Sequence, residues 1–224
     1  FCAELLRNGT TTAAAFATVH AGSVDALFEA ARARRMRLIT GKVLMDRHCP
    51  EFLCDTAATG YAESKALIER WHGRDRLLYA VTPRFAPTST PTQMQLAGRL
   101  FAEHPGVFLQ SHLAENRAEV DWATQLHPEA RSYLDVYARF GQLGMRALYA
   151  HCIWLDDIDR RRMADTGSAM SFCPTSNLFL GSGLFDLQRA REVGVRVGLG
   201  TDVGAGTSFS MLQTMNEAYK VLQL

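Results

Sequence analysis

The chain has no long apolar run, no excess of charge and no paired-cysteine motif, and each absence removes a class of function. Charged residues interrupt every apolar stretch well short of the roughly 20 residues that a bilayer-spanning helix needs. Twenty-four Lys and Arg stand against 23 Asp and Glu, a formal net charge of +1. No global field therefore draws the protein to nucleic acid, anionic lipid or acidic partners. The five cysteines (Cys2, Cys49, Cys54, Cys152, Cys173) are odd in number and scattered. None forms Cys-x-x-Cys, and Cys49 with Cys54 fits no zinc-ribbon spacing. Free thiols in a reducing compartment, the cytoplasm, are expected rather than disulfides. Gly198-x-Gly200 and Gly204-x-Gly206 lack the full GxGxxG pattern, which argues against dinucleotide binding.

What is present is an ordinary globular composition, 47% hydrophobic and 21% charged over 224 residues, enough for one large domain. No linker or low-complexity tract divides it. The first residues, Phe1 to Leu6, carry no initiator Met, no signal peptide and no helix-start signal. The last, Val221 to Leu224, fall inside a helical pattern begun near Ser210. An internal piece of a longer protein is expected.

Strand-like and helix-like stretches alternate. Thr11–Thr18, Arg37–Met45, Leu77–Val81, Val107–Leu109, Arg146–Ala150, Ala169–Phe172 and Val195–Leu199 read as strands. Their short apolar runs without strict alternation suit strands buried on both faces of a parallel sheet. Helical patterns cover Asp25–Arg32, Ala62–Trp71, Ala118–Leu126, Arg131–Phe140 and Asp157–Asp165. Thr90-Pro91-Thr92-Gln93 looks like an N-cap, a proline at N1 and a capping-box Gln opening a helix to Glu103. Gly167 and Gly194 sit where C-caps would be. Seven strands alternating with helices predict an α/β fold, a (β/α)₈ TIM-type barrel lacking about one unit, over residues 1–224. A doubly wound open sheet is the alternative.

Three of these strand-like runs lead to groups that can hold a metal. Ser111-His112-Leu113-Ala114-Glu115-Asn116 follows Val107–Leu109, His151 ends Leu148-Tyr149-Ala150, and Asp202 follows Val197–Thr201. In a barrel such ends share one mouth, and two imidazoles with a carboxylate suit Zn²⁺, or less well Fe²⁺. One such histidine alone is ordinarily structural; the recurrence points to a metal-dependent enzyme. Glu115 reads as a general acid/base over the same mouth, or as a solvated loop carboxylate or helix N-cap group. In Thr82-Pro83-Arg84-Phe85, Arg84 suits a carbonyl or carboxylate and Phe85 a planar ring, against the plain reading of a surface arginine. Cys173-Pro174-Thr175-Ser176-Asn177 ends another strand; Ser176 and Asn177 shape the loop or hydrogen-bond metal ligands. It is not the Pro-Cys-x-x-Cys pattern of the cytidine-type zinc deaminases, and no His-x-Glu precedes it. His20 either faces the mouth or hydrogen-bonds in the core. His48, His72, His104 and His127 receive no function.

Together these segments, with Asn8-Gly9-Thr10-Thr11-Thr12 and Gly41-Lys42-Val43-Leu44-Met45-Asp46, resemble the amidohydrolase superfamily, most closely its guanine deaminases. Pro-Arg-Phe and Ser-His-x-x-Glu-Asn carry the narrower likeness. The resemblance implies a distorted barrel holding one zinc, with His112 and His151 as ligands and Asp202 at the metal. It implies that Arg84 binds the purine carbonyl, Phe85 lines the ring, and Glu115 protonates the ring nitrogen beside the attacked carbon. His112, Glu115 and Asp202 would thus also face the substrate, with Glu115 and Asp202 catalytic. The implied reaction is hydrolytic deamination of guanine to xanthine and ammonia in a homodimer. The family's HxH ligand pair, a purine-holding Gln and the terminal β-sandwich are absent from these residues. Another amidohydrolase deaminase, a chlorohydrolase of a different heterocycle, or an inert fragment are the alternatives.

Overall fold

Within each part of the sheet the paired strands run parallel, which requires crossover connections and accounts for the helices between them. A computed structural model describes residues 1–224. They form two compact units, Phe1–Ser111 with Phe140–Gln142, and His112–Arg139 with Leu143–Leu224.

The first unit holds α1 (Cys2–Arg7), β1 (Thr12–Phe16), α2 (Ala21–Ala33), β2 (Arg37–Gly41), β3 (Val43–Leu44), α3 (Ala57–Trp71), β4 (Leu77–Pro83), α4 (Pro91–Glu103) and most of β5 (Phe108–Leu113). The sheet order is β1-β2-β4-β5, with β3 also on β4. Thr12–Phe16 registers with Arg37–Gly41, and Ala80 and Val81 with Phe108 and Leu109. Leu38, Leu77, Tyr79, Phe28 and Met94 are wholly buried. Glycine permits two close approaches: a Cβ on Gly41 would lie 1.8 Å from the Ala80 carbonyl oxygen, and one on Gly98 1.8 Å from that of Phe140. The second contact, with Gln142 Nε2 donating to the Met94 carbonyl at 2.8 Å, ties Phe140–Gln142 to this unit.

The second unit contains the end of β5, then α5 (Arg117–Leu126), α6 (Tyr133–Arg139), β6 (Ala147–His151), α7 (Asp157–Thr166), β7 (Ala169–Phe172), α8 (Pro174–Leu180), α9 (Leu187–Val193), β8 (Arg196–Leu199) and α10 (Met211–Val221). β6, β7 and β8 pair in turn, Leu148 with Ala169 and Ala169 with Arg196. Gly167 and Gly194 end α7 and α9 with φ of 72° and 87°, as their positions predict.

Several expectations need correction. The run Arg37–Met45 is two strands, broken at Lys42, whose buried ammonium turns to Asp55 at 2.5 Å and Glu63 at 3.2 Å. Cys2–Arg7 is helical although its N-cap, Phe1, makes no side-chain hydrogen bond. Cys173–Asn177 is not a loop: Pro174 takes N1 of α8, the position where its missing N–H is no loss. Thr90 does cap α4, accepting from the Gln93 N–H at 3.3 Å. The reciprocal bond is not made by Gln93, whose amide is buried elsewhere; Asp46 accepts from the Thr90 N–H at 2.6 Å instead. β1 and β8, each with one sheet neighbour, are half exposed, while β4 is buried on both faces. His20 is exposed at the N-cap of α2, outside any core.

Candidate active site

β5, β6 and β8 deliver the predicted groups of the second unit to one place. His112 is the penultimate residue of β5, His151 the last of β6, and Asp202 lies three residues beyond β8. Their ligand atoms lie within 4.8 Å of one another. The His112 and His151 rings stack with centroids 5.6 Å apart.

Backbone in the left-handed region makes the convergence possible. Ala114, His151, Cys152 and Asp202 have φ of 51°, 72°, 54° and 48°, a conformation costly for residues with a Cβ. The turn at His151–Cys152 points successive N–H groups back at β5. Cys152 N–H donates to the Leu113 carbonyl at 2.8 Å, and those of Ile153 and Trp154 to Ala114 at 3.0 and 3.1 Å. On the other side, the Gly206 and Ala205 N–H groups close on the Asp202 carbonyl. A Cβ on Gly206 would strike the Thr201 carbonyl oxygen at 1.9 Å.

Glu115, in the short link from β5 to α5, places Oε2 3.7 Å from His151 Nε2. The Ser182 hydroxyl donates to its Oε1 at 3.0 Å. Burial pushes the Glu115 carboxyl above its ordinary value, opposed by that bond and by the nearby His112. Burial also lowers the His151 pKa, opposed by Asp202, which favours the neutral imidazole that can ligate a metal. The Cys173 thiol, pushed up to about 12 by burial, stays protonated. All five cysteines are free, as their scatter predicts.

Asn177 supplies a test of whether a metal fits. Its amide meets His151 Nδ1 at 2.9 Å, and its Oδ1 is buried without a partner. With the amide turned so that Oδ1 accepts from Nδ1–H, the orphan oxygen is satisfied and Nε2 keeps its lone pair for a metal. The donor set of two imidazoles and a carboxylate, within a few ångströms, fits a zinc-type ion with positions left open.

Arg84 and Phe85 follow β4 in the first unit. The Arg84 guanidinium lies 4.9 Å over the Phe85 ring and 3.9 Å from Met45 Sδ. The Ser111 hydroxyl donates to the Arg84 carbonyl at 3.2 Å. Sequence reasoning missed Ser182, 67 residues from Glu115 and without any local motif. Ser182 is presented by a turn that only glycine fits: Gly183 has φ of 136°, and its Cβ would lie 2.9 Å from the Trp154 ring. Trp154 Nε1–H donates to the Ser182 carbonyl at 3.0 Å.

A model of the amidohydrolase family matches residues 1–223. The guanine deaminase of Escherichia coli K12 is 57% identical over all 224 residues, which correspond to 51% of that protein. Its solved structure matches with a TM-score of 0.97, over 98% of this chain and 52% of the other. A guanine deaminase of C. acetobutylicum, solved with guanine bound in its active site, is 30% identical with a TM-score of 0.95, over 99% of this chain and 53% of that one. The chain thus spans about half the length of the relatives it matches. These matches favour the incomplete barrel-type α/β fold over the open doubly wound sheet.

Proposed function

The chain belongs to the amidohydrolase family, and from that membership we propose that the full-length protein hydrolyses guanine to xanthine and ammonia. The observation that carries the reading is the convergence of His112, His151, Asp202 and Glu115 from separate strand ends. Relatives named as guanine deaminases support the choice of substrate.

His112, His151 and Asp202 would hold Zn²⁺, or less suitably Fe²⁺. When bound, the ion supplies Lewis acidity and a water acidic enough to ionise near neutral pH. The remaining chemistry falls to side chains. Glu115, its pKa raised by burial, holds a proton longer than an exposed carboxylate and delivers it to the ring nitrogen beside the attacked carbon. Because Ser182 occupies Oε1, Oε2 is the oxygen left for proton traffic. Asp202 takes up the proton of the attacking water. Arg84 and Phe85 enter through the resemblance, as the groups that bind the purine carbonyl and ring.

Residues 1–224 are read as part of one metal-dependent hydrolase domain. Five free thiols suit a cytoplasmic protein, and no helix is long and apolar enough to cross a membrane. The homodimer implied by the resemblance is checked by sedimentation. The deciding experiment measures ammonia from guanine, adenine, cytosine and triazines with the full-length, zinc-loaded protein. Release from guanine alone is expected. No ammonia from guanine, with turnover of another heterocycle, moves the protein to a different amidohydrolase activity.

A further inference from the structure

Glu119 is the third residue of α5 and points inward: it is 8% exposed, and no lysine, arginine or histidine pairs with it. A carboxylate buried without a cation is stable only if other donors satisfy it. One oxygen is so satisfied: Oε2 accepts from the Glu115 N–H at 3.0 Å, while Oε1 is buried without a hydrogen-bond partner. Its own N–H donates to Asn116 Oδ1 at 2.9 Å. This is a variant of the capping box, with the return bond made to the N–H of Glu115 rather than to that of the N-cap Asn116. Independently of Glu119, the Tyr137 hydroxyl holds the end of β5, donating to the His112 carbonyl at 2.8 Å.

We infer that Glu119 is a positioning residue for the active site, holding Glu115 by its backbone N–H. The peptide between Ala114 and Glu115 is clamped at both ends. Its carbonyl accepts from Ile153 and Trp154, and its N–H is held by Glu119. With Ser182 on Oε1, the Glu115 side chain is fixed at its root and at its tip. An ordinary capping glutamate stabilises only its own helix; this one fixes where a proton is delivered. The inference rests on the reading of Glu115 as the proton carrier.

The test compares Glu119→Ala with Glu119→Gln in the full-length, zinc-loaded protein. Glutamine keeps an oxygen that accepts the Glu115 N–H, so position survives while charge is lost. Glu119→Ala should lower kcat on guanine about 100-fold, the scale of a misplaced catalytic group, with KM within about threefold. Hydrogen exchange at the Glu115 amide should accelerate while the rest of α5 stays protected. Glu119→Gln should keep kcat within about fivefold and keep that amide protected. Wild-type kcat and amide protection in Glu119→Ala would overturn the inference, as would equal losses in both variants. Should Glu119→Ala not fold, Glu119→Asp serves: its carboxylate falls one methylene short of the Glu115 N–H, and the same loss of kcat and of amide protection is expected. Wild-type kcat and amide protection in Glu119→Asp then overturn the inference. If the wild-type protein leaves guanine untouched, the functional reading fails, while amide exchange still decides whether Glu119 holds Glu115.

Discussion

Each unit places charged groups at the carboxyl ends of parallel strands, yet the two treat them differently. In the first unit Lys42, 2% exposed, is surrounded by Asp55, Glu63 and the Val19 carbonyl. Its charge is cancelled where it stands, and the group serves as an anchor. In the second unit no lysine or arginine pairs with Glu115 or Asp202; Glu115 instead lies 3.7 Å from His151, whose pKa burial lowers. A strand end is therefore not itself a mark of function. Acid and imidazole gathered without compensating cations leave room for a cation from outside, and that is the stronger signal.

The contrast can be broken at four points. The largest effect is expected for Glu115→Gln, with kcat falling on the order of 10³-fold or more while zinc content and Tm hold. Zinc lost from that variant, measured by metal analysis, would move Glu115 into the ligand set. Next, Lys42→Met should strand buried Asp55 and destabilise the protein by about 3 kcal/mol, read from urea unfolding. A neutral result would show that the first unit's anchor is dispensable. Arg84→Ala asks whether the first unit contributes more than scaffolding. Loss of a charged hydrogen bond of about 2 kcal/mol should raise KM for guanine on the order of thirtyfold with little change in kcat; unchanged kinetics remove Arg84 from substrate binding. The smallest effect is at Asp157, the first residue of α7, where the second unit does cancel charge. Arg189 forms a two-toothed pair with it, at 2.6 and 2.9 Å, and lowers its pKa to about 2. A depressed carboxyl stabilises the fold above its unfolded value of about 3.8, and that gain fades as pH falls towards 2. Asp157→Asn should flatten this part of the acid-unfolding curve, and an unaltered curve would show the pair to be inert.

The parts legible in the sequence were those written locally. Hydrophobic runs located the long strands, Thr90-Pro91 and the two glycines marked helix ends, and the ligand-type residues stood beside strand ends. α8 was misread because Pro, Thr, Ser and Asn favour turns in isolation, whereas Pro174 is helix-compatible at N1. The supports of the site were illegible for another reason. Ser182 meets Glu115 and Tyr137 meets the His112 carbonyl only after the chain has folded, and no spacing rule connects residues brought together by packing.

Ala114 carries a consequence for how such a protein could be made hardier. Its φ of 51° sets a methyl-bearing residue where glycine would sit without penalty, a burden of about 1 kcal/mol. Ala114→Gly would relieve that strain and widen the arc through which Glu115 swings. Breeding for heat tolerance and breeding for speed would then disagree over one methyl group.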